Sequence, residues 1–228
     1  GYISTLRDGG VEDLNIRDKY LQRIDSSVER LLNIVKDLDM INRYESGQID
    51  LKYSIFDINL LVQEIFDLLE MEGEKLAMTM QLQTTQPQLF VSADKQRISQ
   101  VLINLISNSI KYANREEAQI IVSTREGTKS IHISVEDNGM GIKPENLPRI
   151  FERFFRVESS RSRKEGGSGL GLAIVKHILE AHQQTIAVES TYLSGTKFKF
   201  KLTKSTPSIK KINGISIGNS IPGKAQNL

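Results

Sequence analysis

Residues 119–125 and 130–136 read as two long strands, separated only by Glu126-Gly127-Thr128-Lys129. Strands joined so closely pair antiparallel, because a parallel pair needs a crossover of roughly a dozen residues or more. A purely parallel α/β sheet is thereby excluded. Further strands are expected at 51–56, 78–84, 88–92, 184–190 and 196–202. Asp57 is a good N-cap for a helix running to about Lys75, with Leu60, Leu61, Ile65, Leu68 and Leu69 as its apolar stripe. Asp94 caps a second helix ending at Lys111. A short helix is expected near Pro144, and another from about Gly169 to Ala181. Helices and strands are mixed rather than strictly alternating. The fold class is α+β, with helices layered on one face of a mixed sheet.

A different period governs the first part of the chain. Leu21, Ile24, Val28, Leu31, Val35 and Leu38 are spaced alternately three and four residues apart. That is the pattern of a helix packing in a bundle or coiled coil, and Leu14 extends it one heptad upstream. Gly1 to Leu6 read as the end of an earlier helix, closed by Gly9-Gly10, so residues 1–50 form a partial helical hairpin. The unit that follows spans 51–204. The polar stretch 158–168 is expected to be a mobile loop, and 205–228 a poorly ordered tail.

Charge and composition exclude several classes. The chain has 30 Lys plus Arg, 28 Asp plus Glu and no cysteine. Disulfides, thiolate metal sites and a cysteine nucleophile are therefore impossible. The four lysines from Lys204 onward account for the positive balance, leaving 26 basic against 28 acidic residues before them. No basic face for nucleic acid is expected on the folded body. No run approaches roughly 18 apolar residues, so no membrane contact is expected from these residues.

Four short segments carry candidate chemistry. Asn104, Asn108 and Lys111 share one helix face at i, i+4 and i+7, with Tyr112 next in line. Amide oxygens are hard ligands suited to Mg2+, and an ammonium suits phosphate. Asp137-Asn138-Gly139-Met140-Gly141-Ile142 follows a strand, where a carboxylate can accept from an exocyclic amine and glycines let the backbone approach a ring. Gly166-Gly167-Ser168-Gly169-Leu170-Gly171-Leu172 opens a helix, whose free amides can cradle phosphate. Ser194-Gly195-Thr196 sits between two strands. Taken singly, each also has a plain reading: a solvated helix face, a turn, a hinge and a hairpin loop.

Their joint occurrence in this order resembles the asparagine box and the three glycine boxes of the GHKL ATPase superfamily. Phe151-Glu152-Arg153-Phe154-Phe155-Arg156 resembles the phenylalanine box of two-component sensor histidine kinases. The resemblance covers roughly residues 1–203. It implies a two-layer α/β sandwich, with the hairpin before it as the end of the dimerisation and histidine-phosphotransfer domain. It implies binding of ATP with Mg2+ for phosphoryl transfer to a histidine, and onward to a response regulator receiver domain. By motif, Asn108 would ligate Mg2+ with Asn104 beside it, and Lys111 would contact phosphate. Tyr112 would lie near the adenine, whose amino group Asp137 would receive. Gly139, Gly141 and Ile142 would line the base pocket, and Thr196 would support its Asp137 side. Gly167, Gly169, Leu170 and Gly171 would present amides to the phosphates, with Leu172 against the base. Arg156 would lie near the γ-phosphate. Asn108, Lys111 and Arg156 are thus the catalytic candidates.

One departure accompanies the match. The family's acceptor histidine, in a His-Glu-Leu box, does not occur here. His132, His177 and His182 are expected to be structural. The chain is therefore expected not to autophosphorylate, and to be a weakened dimer or a monomer with its heptad stripe exposed. The parent protein would be cytoplasmic at this end and anchored in the bacterial inner membrane. The alternative is a nucleotide-binding pseudokinase or interaction module without transfer activity.

Overall fold

The computed structural model describes residues 4, 14–74, 77–113, 117–157, 168–206, 211–212 and 215–216. A long helix, α1 (Leu14–Glu45), leads into strand β1 (Ser54–Asp57) and helix α2 (Ile58–Glu74). Strands β2 (Thr79–Thr84) and β3 (Phe90–Ala93) precede helix α3 (Lys95–Lys111). The hairpin is β4 (Gln119–Glu126) and β5 (Ser130–Asp137). Helix α4 (Gly171–Ala181) and strands β6 (Ala187–Thr191) and β7 (Gly195–Lys204) complete the unit.

The seven strands form one mixed sheet in the order β1-β3-β7-β5-β4-β2, with β6 also on β7. β2 and β4 are parallel, and the other pairs are antiparallel. Alternation decides which face is covered. Ile131, Ile133 and Val135 of β5 and Phe198, Phe200 and Leu202 of β7 are buried. They join Leu102, Leu105 and Ile106 of α3 and Ile174 and Ile178 of α4 in one core. The intervening positions, such as His132 and Lys201, face solvent. The two-layer α+β sandwich is thus the observed fold.

Polar caps lock the layers together. Asp57 Oδ1 accepts from the Asn59 amide at 3.0 Å and the Leu89 amide at 3.1 Å, starting α2 and fixing the approach to β3. Asp94 Oδ1 accepts from the Arg97 amide at 3.1 Å, and its Oδ2 from the Lys52 amide at 2.9 Å. The Asp94 amide donates to His182 Nε2 at 3.1 Å, and His182 Nδ1 lies 2.7 Å from the Ile178 carbonyl. This pattern assigns the proton to Nδ1 and makes buried His182 a tie between the start of α3 and the end of α4.

Several expectations need correction. Leu60 and Leu68 do not belong to the buried stripe of α2. Both are exposed, and Ile58 and Val62 join Leu61, Ile65 and Leu69 inside. The helical period turns Leu60 and Leu68 away from the sheet. The strand expected at 51 begins at Ser54, because the Lys52 amide is taken by Asp94. No α-helix forms near Pro144. Turns lead into a single 3-10 turn at Leu147–Arg149, where Pro148 has no amide to continue an α-helical ladder. Helix α4 starts at Gly171 rather than Gly169, which holds φ +74° outside the helical region. In the tail, residues 211–212 and 215–216 pair as a short antiparallel ladder where no strand was expected. The expected loop at 158–167, the rest of the tail, and the helix end at the N-terminus apart from Ser4 lie outside the described residues.

The helix expected from the heptad pattern forms as α1, and the described part of its stripe is largely bare. Leu21, Val28, Leu31 and Val35 are all exposed. Among the described residues, the C-terminal part of α1 is the part that packs on the core. Ile41 is 0% exposed within the core, with Ile34, Met40 and Tyr44 against it. Glu45 pairs with Arg153 and stands 3.6 Å from His177 of α4. Ile41→Ala is expected to cost about 2–4 kcal/mol, a lost side chain plus its cavity. Urea unfolding followed by circular dichroism measures it. A cost below about 1 kcal/mol would mean that α1 is not part of the cooperative unit.

Candidate functional site

A cavity of about 690 Å³ opens beside the C-terminal end of α3. That lies within the usual size for small-molecule sites, about 300–1,000 Å³. Asn108, Tyr112, Asp137, Gly141, Ile142, Arg156, Leu172 and Thr196 line it. These residues are distant in sequence, and the sheet and two helices converge on them.

Asp137 ends β5 with its carboxylate in the cavity wall. Its Oδ1 accepts from the Gly139 amide at 2.9 Å, and its Oδ2 from the Ser109 hydroxyl at 3.0 Å. Burial pushes its pKa above the ordinary carboxylate range, opposed by these hydrogen bonds. The next residues are held tightly. The Met140 amide donates to the Tyr112 carbonyl at 3.1 Å, and a Cβ on Gly139 would crowd that same oxygen. Gly141 has φ +65°, and a Cβ there would overlap the Thr191 carbonyl oxygen. The Ile142 amide donates to Ser190 Oγ at 2.8 Å, and that hydroxyl lies 2.9 Å from Thr196 Oγ1. Thr196 pairs with Asp137 across β7 and β5. The sheet register therefore fixes the relation between the acid and its supporting hydroxyls.

Other candidates stand beside the cavity rather than in its lining. Asn104 donates its amide to the Gly171 carbonyl at 3.3 Å, joining α3 to the start of α4. Lys111 Nζ lies 5.6 Å from the Tyr112 ring centroid. Gly169 packs where a Cβ would meet the Phe154 backbone. Leu170 has a fully buried side chain, and its amide donates to Ser168 Oγ at 3.2 Å. Gly167 lies outside the described residues.

Several lining residues escaped the sequence reading. Arg149 and Arg153 reach the cavity beside the expected Arg156, Arg149 paired with Glu152 and Arg153 with Glu45. The three guanidinium groups suit a polyphosphate. Arg149 stacks over Phe155 at 4.5 Å from the ring centroid. Lys143 and Tyr192 also line the cavity. Tyr192 belongs to no motif, and only the fold brings it there.

The donor set fits a nucleotide with a hydrated metal. A half-buried carboxylate in a cavity that Ile142 and Leu172 also line offers an acceptor beside apolar surface. Among the described residues no group of three or more His, Asp or Glu can hold a metal alone. Magnesium needs no such cage, because it keeps waters and phosphate oxygens and takes one or two protein ligands.

The fold and the cavity define a helix-on-sheet domain with a site of small-molecule size. Residues 93–206 match the family of histidine kinase-, DNA gyrase B-, and HSP90-like ATPases, and the chain belongs to that family. It is 32% identical over 202 residues to the sensor histidine kinase WalK of Bacillus subtilis (strain 168), covering 88% of this chain and 33% of that protein. The chain thus spans about a third of the length of WalK from Bacillus subtilis and from Staphylococcus epidermidis. The catalytic domain of histidine kinase ThkA is 31% identical with a TM-score of 0.59, covering 67% of this chain and 96% of that one. Histidine kinase ThkA in complex with response regulator protein TrrA is 28% identical with a TM-score of 0.66, covering 85% and 53%.

Proposed function

We propose that this chain is the ATP-binding kinase core of a bacterial sensor histidine kinase. One observation carries the reading. Asn108, Tyr112, Asp137, Ile142, Leu172 and Thr196, drawn from four separate motifs, meet at one cavity. The similarity to WalK and to ThkA supports the same assignment.

In this reading Asp137 accepts the adenine amino group, and Gly139, Gly141 and Ile142 shape the slot for the ring. Leu172 packs on the base, and Thr196 holds the Asp137 side. Asn108 is the metal ligand, with Asn104 beside it. Lys111 and Arg156 offset phosphate charge. The segment with Gly167, Gly169, Leu170 and Gly171 takes the phosphate chain, and the Leu170 amide must exchange its bond to Ser168 Oγ to do so. Magnesium, when bound, neutralises β- and γ-phosphate charge. Residues 1–50 are then the end of the dimerisation and phosphotransfer hairpin, 51–204 the ATP-binding unit and 205–228 a tail. The bare stripe of α1 suits a homodimer of the parent protein. The acceptor histidine is not among the three of this chain, since His182 is a buried tie, His177 packs beside Glu45, and His132 lies on the open sheet face. The phosphoryl group then passes to a receiver-domain partner, as the complex of ThkA with a response regulator suggests. Among the described residues no helix is long and apolar enough to cross a membrane. A cytoplasmic position fits the reading, with any anchor supplied by the parent.

Asn108→Ala tests the metal assignment. It is expected to leave binding of an ATP analogue in EDTA within about twofold, and to remove the gain seen on adding Mg2+, about 10-fold for a lost charged-group contact. Calorimetry with and without Mg2+ reads it. Full Mg2+ enhancement in the variant would reject Asn108 as the ligand.

A further inference from the structure

The Asp137–Gly141 loop is held by more than the strand that precedes it. The tip of the β6–β7 hairpin lies directly against it. The Leu193 amide donates to the Met140 carbonyl at 2.6 Å, and the Thr191 carbonyl fills the space a Gly141 side chain would need. Ser190 anchors the same loop through the Ile142 amide. The hairpin turns through Leu193 at φ +63°, a region that residues with a Cβ seldom adopt.

These anchors are made by the backbone and by Ser190. The Tyr192 side chain is therefore not needed to hold the tip, and it lines the cavity together with Lys143. The Lys143 ammonium lies 5.3 Å from the ring centroid, a cation–π contact that restricts the ring. Tyr192 as a residue is 43% exposed, so part of its surface is available to a ligand. A restrained aromatic ring at the edge of a cavity loses little freedom when a flat ligand covers it.

We propose that Tyr192 is a base-binding residue, contributing an aromatic face to the heterocycle of the nucleotide, with Lys143 holding the ring in place. The inference rests on the cavity being an ATP site. It adds to that site a wall which none of the four motifs contains.

The test measures binding of three probes: a non-hydrolysable ATP analogue, adenosine and inorganic tripolyphosphate. For Tyr192→Ala, affinity for the analogue and for adenosine is expected to fall about 10-fold, with tripolyphosphate unchanged, since stacking acts on the base alone. Tyr192→Phe is expected to stay within about twofold of the parent, because the ring face remains. Thermal melting shows that the variants fold. In the unmodified chain, the Tyr192 ring resonances, assigned from the Tyr192→Phe spectrum, are expected to shift on adding adenosine. Unchanged adenosine affinity in a folded Tyr192→Ala variant, or unmoved Tyr192 resonances, overturns this proposal alone. An unmodified chain that binds neither the ATP analogue nor adenosine overturns the ATP reading, and this inference falls with it.

Discussion

Asp137→Asn is expected to weaken ATP binding by about 10- to 100-fold while leaving the protein at least as resistant to heat as the parent chain. The two effects separate because, in the proposed function, the carboxylate serves the ligand rather than the fold. Burial raises the Asp137 pKa, so the folded state disfavours the ionised form despite its hydrogen bonds from Ser109 and Gly139. A group with a raised folded pKa binds protons more tightly when folded. Its contribution to stability falls as pH rises through the interval between the ordinary aspartate value and the raised one. At neutral pH the charge is a net cost, and the neutral amide removes it. Asparagine keeps an oxygen for the Gly139 amide. The Ser109 hydroxyl can turn its proton to the Leu105 carbonyl, 3.2 Å away, and accept from the new amide. The ligand instead loses a charge-assisted acceptor. ATP affinity of the parent chain is expected to fall as pH drops through the raised pKa, and that dependence vanishes in Asp137→Asn. Melting curves and titrations at two pH values decide it. A variant that melts several degrees lower and binds ATP normally would show that Asp137 is structural.

Gly141→Ala is expected to remove ATP binding and to destabilise the domain by about 2–4 kcal/mol, a strained backbone plus an overlap with no room to relax. The methyl group would meet the Thr191 carbonyl oxygen, which is backbone and cannot swing aside. Either the hairpin tip or the Asp137 loop must move, and both line the cavity. The expected loss of melting temperature is about 5–15 °C for a chain of this size. Gly47→Ala is the matched control. Its φ of +66° is almost the same, yet no atom lies within 4 Å of the added methyl. Only the conformational cost, about 1–2 kcal/mol, applies there, and ATP binding is untouched. Equal effects at the two positions would mean that the overlap is relieved without disturbing the site.

Much of the cavity lining was legible because its residues lie in short local motifs. Asp137 with Gly141, and Asn108 with Tyr112, stand out by residue type and spacing, and all four line the cavity. The caps were equally readable, since Asp57 and Asp94 each bond an amide two or three residues ahead. What stayed hidden depends on tertiary register. Tyr192 reaches the cavity only because β6 pairs with β7 and places the hairpin tip over Gly141. The role of His182 depends on Asp94, 88 residues away. Leu60 and Leu68 resembled core residues because a helix of many leucines offers two plausible stripes, and only packing against the sheet chooses one. Near Pro144 the error was local. Pro148, four residues on, limits the segment to a single 3-10 turn.

In the proposed function the cavity between α3, the Asp137 loop and α4 binds ATP with Mg2+. The most direct test is calorimetric titration of the unmodified chain with a non-hydrolysable ATP analogue, with Mg2+ and with EDTA. Micromolar binding that strengthens with Mg2+ is the predicted result. Absence of binding under both conditions, from a chain that melts cooperatively, would rule out an ATP site in this cavity.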